Sequence, residues 1–106
     1  MNIYFGVATK SFALYIDSIP GGDVGESWAF ERSSGKRGHR GEWDYYASLP
    51  FAKVGDTIGI YLSKGILYFY SNGKSMGPAF QDPRFLKEDL YPVVGLFYPE
   101  DKVTII

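Results

Sequence analysis

Asn72-Gly73 constrains this chain more than any other pair of residues. The tightest β-hairpin turns need positive φ at both central positions, and asparagine followed by glycine accepts that conformation at low cost. Ahead of the pair stands the apolar run 66–70, and residues 75–79 read as a short strand behind it. Residues 57–63 precede Lys64-Gly65, a second turn pair, so 57–63 and 66–71 read as paired strands. The predicted product is three consecutive strands joined by tight turns. The composition agrees: 2 Trp, 9 Tyr and 8 Phe are punctuated by 13 Gly and 6 Pro, a mixture of strand formers and turn formers.

The remainder reads the same way. Residues 3–9 form an apolar strand without clean alternation, which predicts cover on both faces. Phe12, Leu14 and Ile16 alternate with Ala13, Tyr15 and Asp17, predicting a short strand before the loop Ile19-Pro20-Gly21-Gly22-Asp23. In 26–32, Trp28 and Phe30 share one face of a strand, opposite Ala29 and Glu31. Ser33-Ser34-Gly35 is a turn, and 36–39 return as a short strand. Residues 41–54 are irregular. A single helical turn is expected over 86–90, and 93–98 and 102–106 read as closing strands. No segment carries helical periodicity, repeats or linker composition, so 1–106 is expected to be one all-β domain, a sandwich or barrel.

Charge and cysteine content narrow the function. Net charge is −1, so bulk electrostatics attracts neither nucleic acid nor an anionic membrane. The apolar stretch 90–99 falls short of the roughly 20 residues of a membrane span. There is no cysteine, which excludes disulfides and thiolate metal sites. No basic region leads into an apolar leader after Met1, and no N-x-[ST] sequon occurs. A cytoplasmic location is therefore expected.

Catalytic chemistry is thin. His39 is the sole histidine, so a Ser–His–Asp triad would depend on it, and no G-x-S-x-G elbow is present. Gly73-Lys74-Ser75 and Gly35-Lys36 lack the earlier glycine of a phosphate-binding loop. Arg32, Lys36, Arg37, His39 and Arg40 form a basic cluster that Glu31, Glu42 and Asp44 balance. The aspartates are scattered, with no calcium-loop spacing. No enzyme activity, metal or cofactor is expected. Trp28 and Phe30 have core spacing. Tyr15, Trp43, Tyr45, Tyr46, Phe97 and Tyr98 fall in irregular stretches, where aromatics can supply binding area at low entropy cost.

Five motifs occur in a particular order: Gly25-Glu26-Ser27-Trp28-Ala29-Phe30, Gly55-Asp56-Thr57-Ile58-Gly59, Phe69-Tyr70-Ser71-Asn72-Gly73, Gly77-Pro78-Ala79-Phe80 and Leu90-Tyr91-Pro92. Together with Gly35-Lys36-Arg37-Gly38-His39 they resemble a SPRY domain from about residue 4 to 106. The flavour is similar to the SPRY domains of SOCS-box ubiquitin-ligase substrate receptors, through Gly6-Val7-Ala8-Thr9, Glu26-Ser27-Trp28, Gly77-Pro78-Ala79-Phe80 and Leu90-Tyr91-Pro92. The resemblance implies a curved antiparallel β-sandwich that binds a protein or peptide partner through loops at one end, as an adaptor. It implies a ligand site at Tyr15, Asp17, Pro20 and Asp23 in one loop and at Phe97, Tyr98 and Pro99 in a bend. Tyr98 is the expected anchor, since Pro99 stiffens the chain beyond it. Family members carry further strands ahead of the segment matching 3–9. Without them, the N-terminal strand is expected to be an exposed edge, open to homodimerisation. The alternative is a carbohydrate-binding jelly roll, which also uses exposed aromatic rings.

Overall fold

The computed structural model describes residues 3–14, 19–23, 25–47, 55–96 and 104, with backbone alone at 13 and 14. Eight strands are present among the described residues: β1 Ile3–Thr9, β2 Ser27–Glu31, β3 Lys36–His39, β4 Glu42–Tyr45, β5 Ile58–Ser63, β6 Ile66–Ser71, β7 Lys74–Gln81 and β8 Leu90–Leu96. Two short 3-10 turns, Lys10–Leu14 and Pro83–Leu86, are the only helical pieces there. The strands form a five-stranded sheet, β4-β3-β2-β1-β8, and a three-stranded sheet, β5-β6-β7. Every pairing is antiparallel. The expected all-β sandwich is what the chain forms.

The turns follow from residue chemistry. Asn72 and Gly73 have φ of 52° and 82°, and Lys64 and Gly65 have 52° and 79°. Both pairs close two-residue hairpins, and the second sets Tyr61 opposite Tyr68 and Leu62 opposite Leu67. The first is tied from outside: Asn72 Oδ1 accepts from Thr57 N at 2.9 Å and Asn72 Nδ2 donates to Asp56 Oδ1 at 3.0 Å. A third pair, Arg40-Gly41 at 55° and 77°, joins β3 to β4. Strand β4 corrects the irregular reading of that stretch; an arginine in the first turn position hides the hairpin.

The core lies between the sheets. Val7, Trp28 and Phe30 of the larger sheet meet Leu67, Phe69 and Ala79 of the smaller one. Phe30 and Phe69 contact edge to face, their centroids 4.7 Å apart. Two hydrogen bonds between residues distant in sequence tie the layers: Tyr46 donates its hydroxyl to Gly77 O at 2.6 Å, and Arg37 Nη1 donates to Ala79 O at 2.7 Å. Both carbonyls lie in the part of β7 where the register with β6 shifts. A bulge frees backbone groups from the ladder, and here side chains take them up. Burial pushes the Tyr46 phenol above its ordinary range.

Three expectations need correction. The first is the exposed N-terminal edge. Strand β1 pairs with β2 on one side and with β8 on the other, seven residues of β8 matching seven of β1. Its apolar character reflects a central position, and homodimerisation through an open β1 edge is removed. The second is the strand over 12–16. Residues Lys10–Leu14 form a 3-10 turn, because both flanks of β1 are already occupied and the chain must leave the sheet. The third is the helical turn, which lies earlier, at Pro83–Leu86. Asp82 caps it by accepting from Arg84 N at 2.9 Å, and Pro83 follows at a position where no amide proton is needed. The expected strand 102–106 lies outside the described residues.

Candidate functional site

The face of the five-stranded sheet turned away from the core is built for a chain segment to lie on it. Tyr4, Gly6, Ala8, Ala29 and Gly38 point that way by strand alternation and register. Small residues at most of these positions leave room above the sheet. Residues 19–23 occupy part of it. Gly22 N donates to Ile19 O at 3.0 Å, Gly21 N to the buried Ser27 Oγ at 2.8 Å, and Gly41 N to Gly21 O at 3.2 Å. Gly21 has a φ of 80°, and a Cβ there would sit 2.8 Å from Gly38 O and 2.9 Å from Trp43 Cη2. Only glycine satisfies both conditions. The Trp43 ring lies over Gly38 and 5.7 Å from the Tyr4 ring. Ala29, although opposite the core, is thereby buried.

This segment places two of the expected ligand residues. Pro20 is buried, and its ring lies over Gly95 of β8, where a Cβ would come within 2.8 Å of Pro20 Cδ. Asp23 is exposed, with its carboxylate over Gly41 in the β3–β4 turn. The two therefore stand at opposite margins of the sheet, Pro20 over β8 and Asp23 beside β3 and β4. The contact between Pro20 and Gly95 brings the 19–23 segment against the end of β8, two residues before Phe97 in sequence. Tyr15, Asp17, Phe97, Tyr98 and Pro99 lie outside the described residues. Beside the same strands, an apolar recess of about 390 Å³ is lined by Ala8, Thr9, Lys10, Phe12, Tyr91 and Val93.

At the start of β2 lies a set of charges with a structural task. Arg84 Nη2 donates to Glu26 Oε2 at 2.6 Å, and Arg84 Nε donates to Glu88 Oε2 at 2.6 Å. Arg84 Nη1 also holds Gly25 O at 3.0 Å, and Thr9 Oγ1 donates to Glu26 Oε2 at 2.6 Å. The Thr9 hydroxyl and the Arg84 guanidinium hold the Glu26 carboxyl below the usual carboxylate range. The bonds to Glu88 and Glu26 in turn raise Arg84. The guanidinium carbon also sits 5.1 Å from the Trp28 ring centre. This network fixes the 3-10 turn Pro83–Leu86 to β1 and the start of β2.

His39 stacks on Trp28 with centroids 4.4 Å apart, and its Nδ1 lies 2.8 Å from Ser27 O. A carbonyl can only accept, so Nδ1 carries the proton. The ring serves as a lid on Trp28. Among the described residues, no group of three or more metal-binding side chains comes together. No helix among them is long and apolar enough to cross a membrane.

Residue-by-residue reading missed one aromatic group. Tyr61, Tyr68 and Tyr70 gather on the outer face of the three-stranded sheet, with ring centroids 5.9 and 6.3 Å apart. The signal was available: the Lys64-Gly65 hairpin fixes the register, and alternation places Tyr68 and Tyr70 opposite Leu67 and Phe69.

The SPRY domain family model matches residues 1–106. No curated protein matches the chain. A match over the whole sequence, on a two-layer antiparallel sandwich, places the chain in the SPRY family, whose domains are protein-interaction modules.

Proposed function

We propose that this SPRY domain recognises a segment of a partner protein through residues 17–23 and 97–99. The observation that supports it is the packing of Pro20 on Gly95, which seats residues 19–23 against the strand that precedes 97–99 in sequence. The mechanism is recognition without bond making. Side chains at Tyr15, Asp17 and Asp23 orient the ligand by hydrogen bonds, and Phe97 and Tyr98 bury its apolar side chains, with Pro99 holding the bend. Pro20 supports the loop from below. No cofactor takes part and no reaction is catalysed. The finer reading is a cytoplasmic adaptor, the substrate-recognition part of a ubiquitin ligase or a signalling assembly.

A peptide array read beside a glycan array tests the partner class. Saturable binding to peptides supports the reading; binding to glycans alone transfers the chain to the sugar-binding alternative. Tyr98→Ala should then weaken a captured peptide by roughly 2 kcal/mol or more, as anchor residues do, with little change in melting temperature. Unchanged binding would move the site elsewhere, and an unfolded variant would make Tyr98 a core residue. Recovery of ligase subunits with the tagged protein tests the adaptor role.

A further inference from the structure

The pair Asn72-Gly73 carries a reactivity that its role as a turn does not use. A side-chain carboxamide followed by glycine is open to attack by the next backbone nitrogen, because glycine has no side chain to block the approach. Asn72 and Gly73 are both exposed, and a Cβ at Gly73 would meet nothing within 4 Å. The Gly73 amide makes no hydrogen bond among the described residues. The nucleophile is therefore unhindered and open to water and base. The chain's other asparagine, Asn2, precedes the β-branched Ile3, which crowds the same attack.

The carboxamide itself is restrained. Its partners set its orientation: Thr57 N can only donate, so it meets Oδ1 at 2.9 Å, and the ionised Asp56 carboxylate can only accept, so it meets Nδ2 at 3.0 Å. Asn72 N also donates to Thr57 O at 2.8 Å. These bonds join the residues just ahead of β5 to the β6–β7 turn. Attack requires the carboxamide to leave them, so the clamp sets the rate. Loss of the amide then inverts the contact. An aspartate at 72 still accepts from Thr57 N, but it turns a carboxylate oxygen toward Asp56 where a donor stood. Two like charges at hydrogen-bond distance repel.

We propose that Asn72 is a spontaneous modification site whose conversion unlocks the β6–β7 turn from the start of β5. Gly73 N bonds to Asn72 Cγ, the Cγ–Nδ2 bond breaks, and ammonia leaves with the proton that the amide gives up. Water then opens either carbonyl–nitrogen bond of the cyclic imide. One opening gives aspartate. The other gives isoaspartate, which adds a carbon to the main chain inside a tight turn and undoes the pairing of Ser71 with Lys74. Aged molecules are thereby less stable than new ones.

In the test, the native chain is incubated in mildly alkaline buffer beside a synthetic peptide of residues 68–77. Both are followed by proteolysis with mass spectrometry and by labelling with protein isoaspartyl methyltransferase. The expected result is first-order conversion at position 72 in both, slower in the folded chain, with none at Asn2. Asp56→Ala, which takes away one restraint, should speed conversion about fivefold, the factor that one side-chain hydrogen bond of ordinary net strength gives. Asn72→Asp, the product made directly, should melt about 4–8 °C below the native chain, the shift that such a bond gives a domain of this size. Adding Asp56→Asn, which returns a donor to the contact, should recover most of that loss. A position 72 left unconverted when the peptide is fully converted overturns the proposal. So does a folded chain converting as fast as the peptide, an Asp56→Ala rate equal to the native one, or an Asn72→Asp chain that melts like the native protein. Conversion in the unaltered chain and the melting of Asn72→Asp decide the matter even if Asp56→Ala does not fold. None of these results bears on the loop-end reading, which rests on different residues.

Discussion

Trp28 and Tyr61 are both aromatic, both lie on short strands and both belong to ring clusters, yet they stand in opposite circumstances. Trp28 is 1% exposed, with His39 stacked on one side, Phe85 meeting it edge on and Arg84 close to its ring. Tyr61 is 52% exposed, touching two other tyrosines on an open sheet face. Strand parity alone separates such cases: Trp28 faces the second sheet, and Tyr61 faces away from it. A large ring enclosed on all sides stabilises the fold. A large ring left open has only its cross-strand neighbours to hold it, so it adds less to the stability of the fold. The predictions below test whether that division holds.

Trp28→Ala should have the largest effect. It removes a fully enclosed ring and strips the stacking partner from His39 and the cation contact from Arg84. A loss of about 3–5 kcal/mol is expected, the range for large aromatic core deletions. On a domain of this size that approaches the whole stability. Urea unfolding, with matched m-values, measures it. If the loss stays below about 1 kcal/mol, the region around Trp28 collapses readily and the division between enclosed and open rings fails.

Gly21→Ala probes the cover of the opposite face. Its φ of 80° and its contact with Gly38 O leave no space for a methyl group. A destabilisation of about 2 kcal/mol is expected from left-handed strain and the backbone clash together. Amide exchange should rise at Gly41 and Gly21, whose hydrogen bonds depend on this placement. A neutral outcome would mean that the loop rests on the sheet without being fixed to it.

How much of this was legible depended on how local the information was. The turns at Lys64-Gly65 and Asn72-Gly73 follow from residue pairs, and their positive φ values agree. The turn at Arg40-Gly41 has the same conformation, but arginine carries no turn preference, so β4 was hidden. The fate of residues 10–14 depended on β8, some 80 positions away, returning to fill the second flank of β1. No local pattern contains that. In the candidate site, the loop position of Pro20 and Asp23 was readable. The seating of Pro20 on Gly95 was not, because it needs the register of β8. The tyrosine face was readable in pairing and face; the exposure of Tyr61 there is a tertiary fact.

Glu26→Gln should cost less than the glycine change, about 1 kcal/mol, as charge-assisted bonds do when partly open to water. It also carries a pH signature. The Glu26 carboxyl titrates below its ordinary value in the fold. Its contribution is therefore fully present above the unfolded carboxylate pKa, near 4.3, and is lost as pH falls through the lower folded value. Melting curves across the acid range should converge for the native chain and Glu26→Gln at the lowest pH and separate above it. Parallel curves at every pH would show that the carboxylate charge has no part in fixing Arg84.

The smallest expected effect bears most directly on the comparison. Tyr61→Ala, Tyr68→Ala and the double variant form a thermodynamic cycle on one cross-strand pair. The rings are 5.9 Å apart and tilted at 41°. Open cross-strand aromatic pairs couple by roughly 0.2–1 kcal/mol, and contact pairs are where additivity fails measurably. The expected coupling is about 0.5 kcal/mol, with each single variant losing little more than that. Such values would mean the face is held only loosely by its own contacts, as an open ring pair should be. Couplings above about 2 kcal/mol would make the cluster a second core. The open tyrosines would then do the same work as Trp28, and parity would no longer separate rings that hold the sandwich from rings that only line its outer face.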